Sequence, residues 1–261
     1  CWRLRAVCVS CWGGGPSPYW PSKSLSKRED LEPMPESHVI RARELTRVYR
    51  HGSAQVIGID RVDLEIGAGE MVVLKGNSGS GKSTLLSLLA GLDRPSSGDL
   101  VVAAHDLVRI SEKRLTHFRR KAIGMVFQSF NLLPTLTVLE NACLPALLAG
   151  LSFPEIAPRA EELLGWLHLD HRLTHLPAQL SGGEMQRTAI ARALINDPAI
   201  ILADEPTGNL DSRNGEAVMA LLSELNRAWQ RTVIVATHSS LADPYATRQI
   251  NLRDGRIADQ T

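Results

Sequence analysis

The chain has 261 residues, of which 44% are hydrophobic and 22% are charged, and its formal net charge is +1 at pH 7. This length allows one large domain or two modest domains with a buried core. The near-neutral charge gives no support for nucleic acid as a partner. No apolar run approaches the roughly 18 residues that span a bilayer as a helix, so a function at a membrane would need a membrane-embedded partner.

Residues 1–36 differ in composition from the rest of the chain. They contain three of the five tryptophans, three consecutive glycines and several prolines and serines. Their apolar residues show neither a strand period nor a helix period. We predict a disordered extension here, or sequence upstream of a true start at Met34. The pair Cys8 and Cys11 lacks the second pair of ligands that a zinc site requires, which argues against metal binding.

From Val39 onward, short apolar runs alternate with helical patterns, which indicates an α/β domain. Strands are predicted at 39–49, 62–66, 71–74, 99–103, 123–127, 199–203 and 232–237, with a loop through Gly52 and Gly58 joining the first two. Helices are predicted from Thr84 and over 113–120 and 213–230. Strand, helix and strand in this order imply parallel neighbours joined by right-handed crossovers. The tail is predicted to form a hairpin at 248–258.

Residues 129–180 have a different pattern, with apolar side chains at helical spacing. A helix start is predicted at Pro154 and Glu155. The isolated Cys143 has apolar neighbours and is predicted to be a buried thiol. We therefore predict one domain at 37–258, with its core at 37–128 and 181–258 and a helical subdomain inserted at 129–180.

Residues 76–83 fit the phosphate-binding pattern G-x-x-x-x-G-K-[ST], after the apolar strand 71–74 and before a helix. Glycines allow backbone N–H groups to surround phosphate oxygens, and the positive end of the helix adds to their field. Lys82 is the candidate contact for the β- and γ-phosphates, and Ser83 is a candidate Mg²⁺ ligand. The predicted ATP-binding residues of this segment are Gly76, Asn77, Ser78, Gly79, Ser80, Gly81, Lys82, Ser83 and Thr84.

A second helix start has a similar character. Leu180, Ser181, Gly182, Gly183 and Glu184 precede an uninterrupted helical pattern. Ser181 is predicted to be the N-cap, and the two glycines leave backbone amides accessible to an anion. We call such an anion-binding helix start a cradle. A chain with one phosphate loop needs only one cradle, so the second cradle suggests contact with a nucleotide that is held by another copy of the chain. An ordinary capped helix is the alternative.

Polar residues follow three of the predicted strands, at the sheet edge where ligands of α/β proteins bind. Asp204 is predicted to hold Mg²⁺ through water, and Glu205 to polarise the attacking water as a general base. His238 is predicted to contact the γ-phosphate and hold that water in line. Gln128 is predicted to contact Mg²⁺ or water. Taken singly, the acid pair and the histidine each have the alternative of an ordinary surface position at a strand end.

Tyr49 lies near the end of the first predicted strand, ahead of the phosphate loop. Its aromatic ring is predicted to stack on adenine. A tyrosine that belongs to the core is the alternative.

The chain resembles the ABC transporter ATPases over residues 38–258. The phosphate loop, Gln128, the segment 180–184, the pair Asp204 and Glu205, and His238 occur in the order of that family. The resemblance implies a P-loop NTPase (RecA-like) α/β core with a parallel sheet, an N-terminal antiparallel β subdomain and an inserted α-helical subdomain. It also implies a head-to-tail homodimer, in which the phosphate loop of one copy and the Ser-Gly-Gly of the other enclose each ATP. Asn209, Leu210 and Asp211 would form the loop that crosses between the subunits.

Residues 130–141 and 203–211 resemble the lipoprotein-release and macrolide-export group (LolD- and MacB-type). The implied partner is an integral membrane permease with few helices and a large periplasmic domain, and the implied location is peripheral, at the cytoplasmic face of the inner membrane. Phe130, Leu132 and Leu133 would seat a cytoplasmic helix of this permease. Ser239 departs from the Asp that commonly follows the histidine in this group.

Three other functions can be weighed against the sequence. The cell-division ATPase of the same group is similar in these stretches and would regulate a membrane partner without transport. A soluble ABC ATPase of DNA maintenance would need a long coiled coil or zinc insert before the segment 180–184, and the short helical insert argues against it. Glu205 and His238 argue against a module that binds ATP without hydrolysis.

Overall fold

A computed structural model of the chain describes residues 38–52 and 54–260. Within those residues the strands are β1 (His38–His51), β2 (Ala54–Gly67), β3 (Met71–Lys75), β4 (Ser97–Val102), β5 (His105–Asp106), β6 (Ile123–Val126), β7 (Ile200–Asp204), β8 (Thr232–Ala236), β9 (Arg248–Arg253) and β10 (Arg256–Gln260). The α-helices are α1 (Lys82–Leu89), α2 (Glu112–Lys121), α3 (Val138–Leu148), α4 (Phe153–Trp166), α5 (Gly182–Leu194) and α6 (Ser212–Arg227). Short 3₁₀ turns lie at Asp170–Arg172, Pro177–Gln179 and Ser240–Tyr245. The predicted extension and the cysteine pair within it lie outside the described residues.

The central sheet has the strand order β10-β9-β3-β8-β7-β6. Strands β9, β3, β8, β7 and β6 are parallel, and β10 pairs with β9 in the predicted hairpin. Leu74 and Asp204 both pair with Ala236. This common register places the carboxyl ends of β3, β7 and β8 at one edge of the sheet.

The short apolar runs form strands that are buried on both faces, as parallel strands between layers are. In β3, Val72 and Leu74 face a core that includes the four leucines of α1. Met71 and Val73 face a second core, formed with α3, α4, α5 and α6. The two cores therefore pack on opposite faces of β3, the strand that leads into residues 76–83.

A four-stranded antiparallel sheet, in the order β2-β1-β4-β5, packs on the first of these cores. The prediction of a loop through Gly58 was wrong, because Gly58 lies inside β2. A Cβ atom at Gly58 would lie 2.9 Å from both the Tyr49 ring and the Thr84 methyl group. Glycine here lets β2 approach the start of α1, a long-range requirement that local sequence does not reveal. The α/β fold class, with its antiparallel β subdomain and its helices, is confirmed.

Helices α3 and α4 lie in the chain between β6 and α5. Asn141 is fully buried, and its side-chain amide donates hydrogen bonds to the carbonyl oxygens of Leu133, Leu136 and Thr137. This amide fixes the loop that connects β6 to α3. Cys143 is buried as predicted, and burial raises the pKa of its thiol to about 11. Among the described residues, every helix is too short or too polar to cross a bilayer.

Candidate nucleotide-binding site

The glycine loop between β3 and α1 has a backbone that only glycine tolerates at its critical points. Gly76, Gly79 and Gly81 have φ angles of 150°, 80° and 103°. A Cβ atom at Gly76 would lie 2.4 Å from the carbonyl oxygen of Leu252, and one at Gly81 would lie 2.4 Å from that of Gly58. The loop therefore wraps tightly and leads into the amino end of α1, which favours an anion.

The Lys82 side chain lies in the middle of this loop and is largely buried. Its ammonium group donates to the carbonyl oxygens of Gly76 at 2.8 Å and Asn77 at 3.0 Å. An ammonium group has three N–H donors, so one donor is left for a ligand. These bonds also turn two carbonyl oxygens toward the lysine and fix the conformation of the loop.

Ser83 and Asp204 meet at the carboxyl edge of the sheet. The Ser83 hydroxyl donates to Asp204 Oδ1 at 3.1 Å. Burial raises the pKa of the half-buried Asp204, the Ser83 hydrogen bond opposes this shift, and the charge of neighbouring Glu205 adds to it. Burial disfavours the ionised form of Asp204, and a cation would compensate this charge. The Ser83 hydroxyl and the Asp204 carboxylate together are suitable oxygen ligands for Mg²⁺.

Glu205 is held in a strained position beside His238. Its φ angle is +46°, in the left-handed region. Its carboxylate accepts hydrogen bonds from His238 Nδ1 at 2.9 Å and from the Thr237 hydroxyl at 3.0 Å. Because a carboxylate accepts, the proton of the imidazole is assigned to Nδ1, which leaves Nε2 for a ligand. Sequence reasoning brought Glu205 and His238 together but missed Thr237.

Gln128 lies against the loop that follows Glu205. A Cβ atom at Gly208 would lie 2.8 Å from Gln128 Nε2, and the Asn209 side chain donates to the Gln128 carbonyl oxygen at 3.0 Å. These contacts connect the end of β6 to the loop at 206–211. The structure thus brings Ser83 and Asp204 into contact and places Gln128 against Gly208.

Tyr49 is more than one-third exposed, and its ring is fixed on two sides. Its hydroxyl donates to Asp93 Oδ2 at 2.9 Å, and the Arg47 guanidinium lies 4.6 Å from the ring centroid. Arg47 also pairs with Asp93 at 2.7 Å. The ring edge approaches Gly58, which also lies close to the Thr84 methyl group at the start of α1. Stacking of adenine on the open face stays a prediction.

Lys75, the last residue of β3, was not predicted from the sequence to contribute to the site. Its ammonium group donates to the Ser239 carbonyl oxygen at 2.9 Å and pairs with Asp243 at 2.6 Å. The Ser239 hydroxyl accepts from the Leu241 backbone N–H and caps the following 3₁₀ turn. Lys75 therefore fixes the segment after His238 to the strand that carries the phosphate loop.

Ser181 is the N-cap of α5, as predicted, in a reciprocal capping box with Glu184. The backbone N–H of Ser181 is the main cause that lowers the pKa of Glu184 to about 2. The Ser181 hydroxyl and Arg172 add to this shift, and burial opposes it. A Cβ atom at Gly183 would lie 2.5 Å from the side-chain oxygen of Asn214. The backbone N–H and the side-chain amide of Asn214 donate hydrogen bonds to the Asp211 carboxylate. The predicted second anion cradle is thus built against residues 209–211 of the same chain.

The two predicted phosphate cradles are separate within one chain. In the part of the chain that the structure describes, no hydrogen bond or ion pair joins residues 181–184 to residues 76–83. Ser181 instead faces its own capping partner, Glu184.

Comparison with known proteins identifies close relatives. A family model described as ABC transporter matches residues 59–208. A dimeric structure of MJ0796, a bacterial ABC transporter cassette, is 42% identical, with a TM-score of 0.79, and the match covers 85% of this chain and 97% of that one. The same cassette in a dimeric post-hydrolysis state bound to ADP and Pi is 41% identical, with the same TM-score and coverage. CbiO1 from Clostridium perfringens, part of the ABC transporter complex CbiONQ, is 28% identical, with a TM-score of 0.76, over 86% of this chain and 88% of its own.

The capping carboxylate gives a prediction for the pH dependence of stability. The pKa of Glu184 falls from its ordinary 4.5 to about 2 on folding. Its ionised form therefore stabilises the fold fully above about pH 4.5, and this contribution is lost as the pH falls toward about 2. We expect the difference in unfolding free energy between the wild type and Glu184→Gln to shrink in this window, as measured by urea unfolding at successive pH values. A difference that grows on acidification would contradict the assigned contacts.

Proposed function

The chain belongs to the ABC transporter family of ATP-binding cassettes, and on this premise we propose that it is the ATP-hydrolysing subunit of a membrane transporter. The main support is the arrangement at one sheet edge. The glycine loop, the Ser83–Asp204 contact and the Glu205–His238 pair all lie where β3, β7 and β8 end. Phosphate binding, metal binding and activation of water need these groups side by side.

ATP is the proposed substrate, with its triphosphate in the loop 76–83 and its adenine on Tyr49. Lys82 would give its remaining N–H donor to the phosphates. Mg²⁺ would be held by Ser83 and Gln128, and by Asp204 through water. When bound, it would neutralise charge on the β- and γ-phosphate oxygens.

Glu205 is proposed to accept the proton of the water that attacks the γ-phosphate. The His238 and Thr237 donors aim its carboxylate, so little motion is needed to present an oxygen to water. The second ring nitrogen of His238, Nε2, is proposed to donate a hydrogen bond to the γ-phosphate, which requires a proton on both ring nitrogens. Fixed donors and charges of this kind account for most of the catalysis in phosphoryl transfer.

Two copies are proposed to close head to tail over two ATP molecules, with Ser181, Gly182 and Gly183 of each copy facing the phosphates of the other. Two observations support this arrangement. Within the described chain the two cradles share no hydrogen bond. MJ0796, which is 42% identical, is dimeric in its structure. Residues 209–211 would reach the neighbouring copy beside Glu205.

Coupling to a membrane partner is proposed to pass through the loop after Gln128. Phe130 and Asn131 have φ angles of 60° and 50°, and Arg192 donates to the carbonyl oxygens of both. This strained loop presents the exposed Leu133 and is joined through Gln128 to residues 208–209. A change at the γ-phosphate would thereby reach a surface where a cytoplasmic helix of a permease could bind.

The proposed partner is a permease with few helices and a large periplasmic domain, for export or extraction of a lipoprotein, peptide or drug. The proposed location is peripheral, at the cytoplasmic face of the membrane. The support is the resemblance of residues 130–141 and 203–211 to the lipoprotein-release and macrolide-export group. CbiO1 is part of an ABC transporter complex.

The substitution Glu205→Gln tests whether two copies of the chain enclose ATP. An amide keeps the shape of the side chain but cannot accept the proton of water, so ATP should bind and hold the two copies together. We expect gel filtration with ATP to show a dimer that is absent without nucleotide. Lys82→Ala combined with Glu205→Gln should return a monomer, because a charged donor to the phosphates, worth about 1.5–3 kcal/mol, is lost. A Glu205→Gln chain that stays monomeric at saturating ATP would refute the proposed dimer closed over two ATP molecules.

The membrane partner is tested by purification of the tagged full chain from detergent-solubilised membranes. We expect an integral membrane protein of the few-helix type to co-purify with the wild type. Leu133→Asp should lose it, because a charge would be buried at the contact. Leu92→Asp is the matched control, since Leu92 is likewise exposed but lies after α1. Equal recovery with both variants, or no membrane protein with any, would contradict this part of the proposal.

A further inference from the structure

Arg172 ends a 3₁₀ turn, and its side chain reaches Glu184 at the start of α5. Its Nε donates to Glu184 Oε1 at 2.8 Å, and its terminal NH1 group lies 3.1 Å from His175 Nε2. A guanidinium only donates, so His175 Nε2 is the acceptor. The arginine is thereby fixed between the His175 imidazole and a carboxylate that is only 12% exposed.

Glu184 uses its other oxygen to hold Ser181. Oε2 accepts both the backbone N–H and the hydroxyl proton of Ser181, each at 2.8 Å. A serine hydroxyl has one proton, so a phosphate oxygen can take that proton only in competition with Glu184. That phosphate would lie within about 5.5 Å of the carboxylate, because the two hydrogen bonds share the Ser181 oxygen.

Two negative groups at this separation repel each other in a partly dehydrated interface. A carboxylate is therefore an unfavourable neighbour for a triphosphate unless a cation compensates it. Arg172 forms the ion pair with Glu184, at 2.8 Å, and Arg187 on α5 adds a second positive charge near this carboxylate. Arg172 also draws charge toward Oε1 and so weakens Oε2 as an acceptor of the Ser181 proton.

We propose that Arg172 is a positioning residue for the Ser181 cradle: it neutralises Glu184, so that the Ser181 hydroxyl can turn to the γ-phosphate held by a neighbouring copy. This inference rests on the proposed function, since it concerns the same composite site. It gives Arg172, which no sequence motif singled out, a part in ATP-dependent dimerisation.

The test uses the Glu205→Gln chain as parent and measures the ATP concentration for half-maximal dimer formation. Arg172→Ala should raise this concentration roughly tenfold, which corresponds to about 1.4 kcal/mol. Arg172→Lys keeps a cation and should stay within about threefold of the parent. Arg94→Ala is the matched control, because Arg94 forms an arginine–glutamate pair with Glu112 at 2.5 Å outside the site, and it should leave the midpoint unchanged.

Removal of the charge on Glu184 separates electrostatics from folding. With Glu184→Gln present, Arg172→Ala should have little further effect, because a neutral amide needs no compensating cation. Arg172→Gln keeps hydrogen-bond donors but removes the charge, so it should weaken dimerisation as much as Arg172→Ala does. If the alanine variant unfolds, the glutamine variant provides the measurement in its place.

Two results would overturn the inference while leaving the proposed function intact. One is an ATP concentration for half-maximal dimer formation that equals that of the parent in both Arg172→Ala and Arg172→Gln. The other is a Glu184→Gln background in which Arg172→Ala still raises the midpoint by the factor that it shows in the parent, since this would assign Arg172 a merely structural role. A parent that stays monomeric with ATP would refute the proposed function itself, and this inference with it.

Discussion

The parallel pairing of β3, β8 and β7 is the constraint on which the site depends. Their common register brings the residues after each strand to one edge of the sheet. Ser83 then meets Asp204, and Glu205 meets His238, although about 120 residues separate the first pair and about 30 the second. Hydrophobic cores on both faces of the sheet fix this register, because every inward side chain of these strands would lose its packing if a strand slipped.

Around this edge, backbone geometry is held by contacts from distant segments. Lys75 connects the end of β3 to Ser239, and Gln128 connects the end of β6 to Gly208. The strained φ angle of Glu205 is sustained by its hydrogen bonds to neighbouring strand ends. The cradle at Ser181 lies on a separate helix start with its own supports, Glu184 and Arg172. The two cradles share no hydrogen bond within the described residues, and in the proposed dimer each would supply half of a triphosphate site.

Local sequence predicted the features that depend on local chemistry. The glycine loop, the Ser181 cap and the acids after β7 are recognised because spacing and residue type within a few positions determine their backbone. Gly58 was assigned to a loop, since the need for glycine there comes from the Tyr49 ring and Thr84, which belong to other elements. Arg172, Lys75 and the Asp93 partner of Tyr49 were missed for the same reason. Their roles arise only when tertiary packing brings side chains together.

The most direct measurement is a crystal structure of the Glu205→Gln chain grown with ATP and Mg²⁺. A γ-phosphate bound at residues 76–83 of one molecule should lie within hydrogen-bond distance of Ser181 in a second molecule. A structure in which Ser181 lies far from every γ-phosphate, whether in its own or in a neighbouring molecule, would contradict the shared site.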